Sequence, residues 1–517
     1  MLKLLLIVPL LGILPLFLIN SDSPQSVSAT GVTTSGLVNK DANSLMKQIA
    51  LGASLITLLI SVVIWIQFDS LTNEYQFVEE FKISAPSLSG YGNASVLPFG
   101  ALPQYHFNIG VDGISLYFIL LTTFITPICI LSNWTDITIK LKYFLISFLL
   151  LETLQVAVFV VLDLLLFYIF FESVLIPLFL IIGIWGASTN RIRAAFLLFL
   201  YTLAGSLFML LAILVIYGNV GSTDFKLLSL VEISFESQKY LWLAFFLSFA
   251  VKTPLAPFYI WLFRAHAESP LAGSILLAAV ILKLATYGYL RVLIDILPDA
   301  TQYFSPLVQT IAIVTLVYSS LATMRQIDTK GYVAYSSIGH MSVVVLGLFS
   351  NNIQGMEGAI LLSVAHGLVS PALFICVGGV LYSRYHTRLI SYYRGMALNM
   401  PIFTIMFLCF TLFNAAVPLS LNWAGEFLSL AGIFQKSPVI GIIGASTIVL
   451  SAIYSIWLFN RISYGQFSKH MINTKDISRR EFMLLLPLLV GVVALGIYPN
   501  VILDTLHVSI TNLLYNI

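Results

Sequence analysis

The sequence predicts an all-α polytopic membrane protein with about fourteen transmembrane helices. Three observations carry that reading. Of the 517 residues, 59% are hydrophobic and only 9% charged, whereas a soluble domain averages about 25% charged. Apolar runs of about 20 residues recur from end to end, each long enough to cross the hydrocarbon core. Basic residues fall on alternate loops. Seventeen Lys and Arg lie after odd-numbered helices, six after even-numbered helices or at the start, and two inside helices. By the positive-inside rule the basic loops face the negative compartment, so both termini are expected on the positive side.

Residues 1–19 form an apolar run behind Lys3 without a small-residue cleavage site, so they read as a first retained helix rather than a removed signal. Residues 20–44 are rich in Ser, Thr and Asn and read as a polar loop, followed by a helix over 45–67. The segment 68–113 carries Glu74, Glu79 and Glu80 with prolines and glycines, and is expected outside the membrane with some strand or irregular structure. Asn93-Ala94-Ser95 has the form of a glycosylation triplet but reads as chance. Further helices are expected at 114–133, 139–161, 162–184, 192–217, 240–263, 270–296, 304–324, 331–350, 355–383, 399–432, 438–464 and 481–500. The tail 501–517 suits an interfacial piece.

The seventh and twelfth of these helices are expected to be broken. Pro254 and Pro257 flank Lys252 and should free the carbonyls of Ala250 and Thr253; Pro418 should free that of Asn414 near Glu426. Pro371 should do the same for Gly367, beside His366. Breaks at membrane depth are tolerated where they are buried in protein or line a wet cavity, and transporters place ion sites there. The spacing predicts two five-helix units, 139–296 and 304–464, each with a broken fourth helix. An odd number of spans per unit makes the repeats inverted. The remaining parts are 1–113 (helices 1–2 and polar loops), 114–138 (helix 3) and 465–517 (the last helix and tail).

Ionisable residues inside apolar runs are expensive and normally face a partner or water. Read along the chain they are Glu172, Lys252, Lys283, His340, His366 and Glu426. Glu172 and Lys252 form a potential couple whose proton affinity depends on their separation; the bland alternative is a static ion pair between helices 5 and 7. His340 and His366 sit on successive helices, and histidine exchanges protons near neutrality. The series suits a mid-membrane proton relay, each protonation altering the next site through Coulomb coupling. Thr286 and Tyr287 share a face with Lys283 and could hold water there. Glu152 is a weaker candidate, and Asp163 at the helix 4–5 turn reads as solvated. Cys129, Cys376 and Cys409 are isolated, with no CxxC, metal-ligand spacing or disulfide framework, and no GxGxxG or Walker motif appears.

The segment VKTPLAPFYIWLFRAHAESPLAGSILLAAVILKLATYG resembles the signature of the antiporter-like membrane subunits of respiratory complex I. MRQIDTKGYVAYSSIGHM, AHGLVSPALFICVGGVLYSRYHTR and NWAGEF carry the same likeness, which extends from about residue 110 to 465. The N-terminal 110 residues match weakly and resemble fungal mitochondrial versions. The resemblance implies a fourteen-helix inverted-repeat fold and a proton-translocating role driven by redox chemistry in other subunits. It implies relay roles for Glu172, Lys252, Lys283, His340, His366 and Glu426. It also implies no cofactor on this chain, with NADH, FMN, iron–sulfur clusters and ubiquinone handled by other subunits. Expected partners are flanking antiporter-like and accessory subunits and lipid, not nucleic acid. The expected location is the mitochondrial inner membrane. Tyr259 departs from the family, where histidine is frequent. The alternatives are a subunit of a multisubunit Na⁺/H⁺ antiporter, which shares these lysines, and a structural spacer, disfavoured because apolar residues would pack such helices at less desolvation cost.

Overall fold

A computed structural model describes residues 1–19, 35–82, 106–468, 471–472 and 474–515. The Asn93 triplet lies outside them. Among the described residues, eleven helices are long and apolar enough to cross a membrane, and two shorter apolar helices, Leu2–Leu18 and Pro401–Asn414, accompany them.

In chain order the elements are α1 (Leu2–Leu18), α2 (Ser35–Gln67), β1 (Gln76–Lys82), β2 (His106–Val111), α3 (Gly113–Ser132) and α4 (Leu141–Val160). Helix α2 begins at Ser35, so the last ten residues of the expected polar loop, 35–44, are helical. Strands β1 and β2 pair antiparallel as a two-stranded ribbon, the only sheet among the described residues. Next come α5 (Leu164–Ser173) and α6 (Leu175–Trp185). They form one bent span, because Pro177 cannot donate to the carbonyl of Ser173. They are followed by α7 (Arg191–Val220), α8 (Phe225–Leu228), α9 (Phe235–Lys252) and α10 (Ile260–Glu268).

The chain then forms α11 (Leu271–Ile294), α12 (Pro298–Met324), α13 (Thr329–Leu348) and α14 (Ile353–Tyr385). Helices α11 and α14 contain π turns, at Leu277–Ile281 and Tyr289–Ile294 in α11 and at Ile375–Leu381 in α14. Last are α15 (Met396–Asn399), α16 (Pro401–Asn414), α17 (Leu421–Lys436), α18 (Pro438–Ser463), α19 (Arg479–Ile497) and α20 (Asn500–Tyr515).

Burial divides these helices by position. The apolar windows of α11 and α14 are wholly buried and that of α13 is 94% buried, whereas those of α2, α18 and α19 are a third buried or less. The three central helices therefore form the protein interior, and the others turn an apolar face outward, as lipid contact requires. The polar residues of interest lie on or beside that interior.

Both expected breaks are present. Helix α9 ends at Lys252 and the chain resumes as α10 at Ile260; α16 ends at Asn414 and resumes as α17 at Leu421. The first break is more fully satisfied than the prolines suggest. The carbonyl of Ala250, expected to be free, accepts from Leu255 N at 3.0 Å. The carbonyl of Val251 accepts from the indole of Trp261 at 2.8 Å. The backbone re-pairs with longer steps and a side chain, as buried amides must. Helix α14 passes through Pro371 without a break and changes to π turns four residues later.

Candidate proton-relay site

The site begins with a local distortion. The π turn at Leu277–Ile281 leaves the carbonyl of Ala278 available, and it accepts from Lys283 Nζ at 2.6 Å. π turns of this kind appear mostly as local insertions in α-helices at functional sites. Lys283 is fully buried, and its ammonium also lies 2.7 Å from His366 Nδ1. That contact lets a proton pass between the lysine nitrogen and the imidazole, whichever of the two donates. Ring centroids of His366 and His340 are 5.9 Å apart. His340 Nδ1 is 2.8 Å from Glu426 Oε1, and its Nε2 is 3.2 Å from Asn414 Oδ1. Both partners are acceptors, so this ring can hold a proton on each nitrogen. Asn414 reaches on to Ser455 at 3.4 Å. Four of the six residues singled out from the sequence thus form one buried row across α11, α14, α13 and α17.

Small residues set that spacing. A Cβ on Gly425 would stand 2.6 Å from the backbone nitrogen of Leu362, and Gly358 and Gly432 make similar backbone approaches between α14 and α17. Such close crossings are how membrane helices pack. They carry Glu426, the next residue, to His340. Gly425→Ala is expected to push α17 away from α14, at about 1–3 kcal/mol for an overpacked core. A thermal unfolding midpoint of the detergent-solubilised protein below wild type is the expected reading; an unchanged midpoint would refute the packing argument.

The other two residues form a separate end. Lys252 Nζ donates to the carbonyl of Phe171 at 2.8 Å and lies 3.2 Å from that ring's centroid. Glu172 is next in sequence to Phe171, beside the Pro177 bend, with its carboxylate oxygens shielded from solvent. Among the described residues no Lys252–Glu172 contact falls within the 4.0 Å that defines an ion pair. The static pair weighed from the sequence is therefore not formed here, because the Phe171 carbonyl and ring take up the ammonium. Between this end and Lys283 lies an aromatic stretch: Phe171 on Phe167 at 5.4 Å, and Phe167 near Tyr287 at 6.2 Å. Tyr287 is buried, with Phe118, Phe159 and Phe167 around its ring.

The structure also places Glu152, Asp163 and Tyr259. Glu152 is buried and accepts from Thr57 Oγ1 at 2.5 Å. Asp163 caps α5 and accepts from Thr223 at 2.6 Å, which gives it a capping task rather than a solvated one. Tyr259 packs against Tyr318 at 5.4 Å.

Two residues escaped the sequence reading. His266 is fully buried, stacks on Phe374 at 4.7 Å, and neither ring nitrogen has a hydrogen-bond partner among the described residues. Lys330 is buried and donates to the carbonyl of Ser269 at 3.0 Å. His266 stands in the quoted RAHAES motif, after a charged residue near a helix end, where a histidine does not stand out. Lys330 falls just before the helix expected at 331–350, where a cation suits a loop. No cluster of His, Cys, Asp or Glu among the described residues suits a metal ion.

A multi-pass helical protein with broken helices and a buried Lys–His–His–Glu row belongs to the class of antiporter-like membrane proteins. This chain is a member of the NADH:quinone oxidoreductase/Mrp antiporter transmembrane family, whose model matches residues 161–452. It is similar to NADH-ubiquinone oxidoreductase chain 4 of Mycosarcoma maydis, 64% identical with all of both chains covered. That alignment includes the N-terminal region expected to match weakly. The chain 4 protein of Arabidopsis thaliana is 49% identical over 91% of this chain and 92% of its own. Among solved structures, a chain in respiratory complex I from Thermus thermophilus with bound NADH superposes with a TM-score of 0.82 at 25% identity, covering 99% of this chain and 100% of that one. A chain of the Mrp complex from Dietzia superposes equally well, TM-score 0.82 with 100% and 98% covered, but at 16% identity, which speaks for the fold alone.

Proposed function

We propose that this chain is a proton-translocating membrane-arm subunit of NADH:ubiquinone oxidoreductase, multi-pass in the mitochondrial inner membrane, and that the buried row is its proton path. The observation that carries the proposal is the continuity of Lys283, His366, His340 and Glu426 through contacts of 2.7 Å, 5.9 Å between ring centroids, and 2.8 Å. Side chains that hold protons at such spacing exchange them directly or through one water. The chain 4 identity of relatives covering the full chain favours complex I over a Na⁺/H⁺ antiporter.

In this reading Lys283, loaded from the negative side, passes a proton to His366. His340 takes it up next, and Glu426 hands it towards the positive side or a neighbouring subunit. Glu172 and Lys252 act as the control end. A change in their separation alters the charge felt by Lys283 through a medium of low effective dielectric. Moving one charge against the membrane potential needs about 2.3 kcal/mol per 100 mV. The two five-helix units are read as inverted repeats, with both termini on the positive side. NADH, FMN, iron–sulfur and ubiquinone chemistry is assigned to other subunits, and the partners to flanking antiporter-like and accessory subunits and lipid.

Blue-native separation of solubilised membranes, with in-gel NADH dehydrogenase staining and mass identification of this chain, tests the assignment. Comigration with a large NADH-oxidising assembly is expected. Migration in a smaller complex without that activity, together with sodium-dependent proton flux, would establish the antiporter reading instead.

A further inference from the structure

Helices α2 and α19 both pack against α3, and between them lies an apolar cleft of about 430 Å³. Leu58 and Trp65 of α2, Phe124 of α3, Leu368 of α14, and Val490 and Leu495 of α19 line it. At about 100° per residue, Lys47, Leu58 and Trp65 share one face of α2, and Arg480, Pro487, Gly491 and Leu495 share one face of α19. The two cations therefore stand over one end of the cleft. They converge on adjacent residues of the turn after α3. Lys47 Nζ donates to the carbonyl of Trp134 at 2.6 Å, and Arg480 Nη2 to the Thr135 hydroxyl at 3.1 Å. Each lies within reach of the other's charge. Among the described residues neither forms an ion pair with a carboxylate, and Arg480 Nε has no hydrogen-bond partner. Asp136 accepts from the Thr135 hydroxyl at 2.8 Å, and Glu481 is held by Arg384 at 2.8 Å. Like charges held this close are costly until an anion comes between them.

We propose that this cleft binds one anionic phospholipid, its phosphate between Lys47 and Arg480 and an acyl chain in the cleft. A guanidinium with a free Nε offers phosphate a fork of donors, and an ammonium adds a point charge. Both cations belong to the basic loops of the chain, and basic pockets between membrane helices on the negative side suit such headgroups. The depth fits. Pro487 stands about 10 Å along α19 from Arg480, and Leu58 about 16 Å along α2 from Lys47. One leaflet of hydrocarbon is about 15 Å thick, so a tail anchored at the cations reaches the cleft. The volume fits a chain better than a protein partner. About 430 Å³ holds only about one turn of a helix with its side chains, far short of a membrane span. The tail would meet Val364 and Leu368, each two residues from His366 and so on the opposite face of α14. The lipid thus braces that helix from behind without touching a proton carrier.

The inference is independent of the proton-translocation reading. Its test uses the whole native assembly that contains this chain, solubilised and supplied with a phosphatidylglycerol carrying a photoreactive diazirine in its acyl chain. Labelled residues are mapped by mass spectrometry. Labelling of the α2 and α19 residues that line the cleft is expected, displaced by excess phosphatidylglycerol and far less by phosphatidylcholine. This comparison needs no variant. Lys47→Gln combined with Arg480→Gln is expected to cut the labelling about twentyfold or more, at about fivefold for each cation facing an anionic headgroup. Gly491→Leu leaves both cations in place and fills the cleft; its Cβ would meet only Leu368, at an ordinary 3.5 Å. It should abolish labelling in assemblies recovered at normal yield. Equal labelling by a phosphatidylcholine probe, unchanged in the double variant, would reduce the cleft to general bilayer contact and overturn the proposal. Absence of cleft labelling in wild type, with or without a partner's peptide crosslinked there, would overturn it as well.

Discussion

Lys283→Met is expected to leave the chain folded and assembled but to cut proton translocation through it by about 10²-fold or more, within the range contributed by a positioned acid–base group. The side chain is wholly buried and its ammonium makes two polar contacts, to Ala278 O and His366 Nδ1. Replacing a buried charge with an apolar side chain of similar volume is often neutral or stabilising, so the fold has no need of this lysine. Function does, because His366 Nδ1 then loses its partner and the row loses its first proton carrier. Proton uptake and NADH oxidation measured on the same vesicles separate the two effects. A normal yield of complex with normal pumping would refute the role; a complex that fails to assemble would show that the lysine is structural.

Glu426→Gln and Glu426→Leu are expected to part company. Gln keeps an oxygen and a donor near His340 Nδ1, 2.8 Å away in wild type, while removing the negative charge. Assembly should hold and translocation should fall by about 10–10²-fold, because the outermost proton acceptor of the row is lost. Leu removes the partner altogether and leaves a buried ring nitrogen unsatisfied, at about 1–3 kcal/mol. The steady-state amount of assembled complex should therefore drop for Leu and not for Gln. Equal loss of pumping and of assembly in both variants would mean that Glu426 serves packing alone.

Much of this was legible in the sequence, and for identifiable reasons. Apolar run length sets helix placement, and the prolines at 254, 257 and 418 mark the breaks because missing N–H donors act locally. Lys283, His340, His366 and Glu426 stood out because ionisable residues in such runs need partners. Their partners did not stand out. Which nitrogen meets which oxygen depends on the π turn that frees Ala278 O and on the glycine contacts that seat α17, and neither is a feature of a single run. The Ala250 carbonyl was misjudged for a similar reason: a residue five positions on, Leu255, re-pairs it. Lys252 was expected beside Glu172, yet the Phe171 carbonyl and ring compete for it, a choice set in three dimensions. The Arg291–Asp112 pair joins residues 179 positions apart, one near the end of an expected helix and one in an expected loop, so no local pattern links them.

The central claim, that buried charge at the Glu172–Lys252 end controls proton movement coupled to redox chemistry elsewhere, is tested most directly by the proton-to-electron ratio of reconstituted complex carrying Lys252→Ala or Glu172→Ala. The account predicts normal assembly, with fewer protons moved per NADH oxidised in each variant. Full stoichiometry in both, in normally assembled complex, would contradict it.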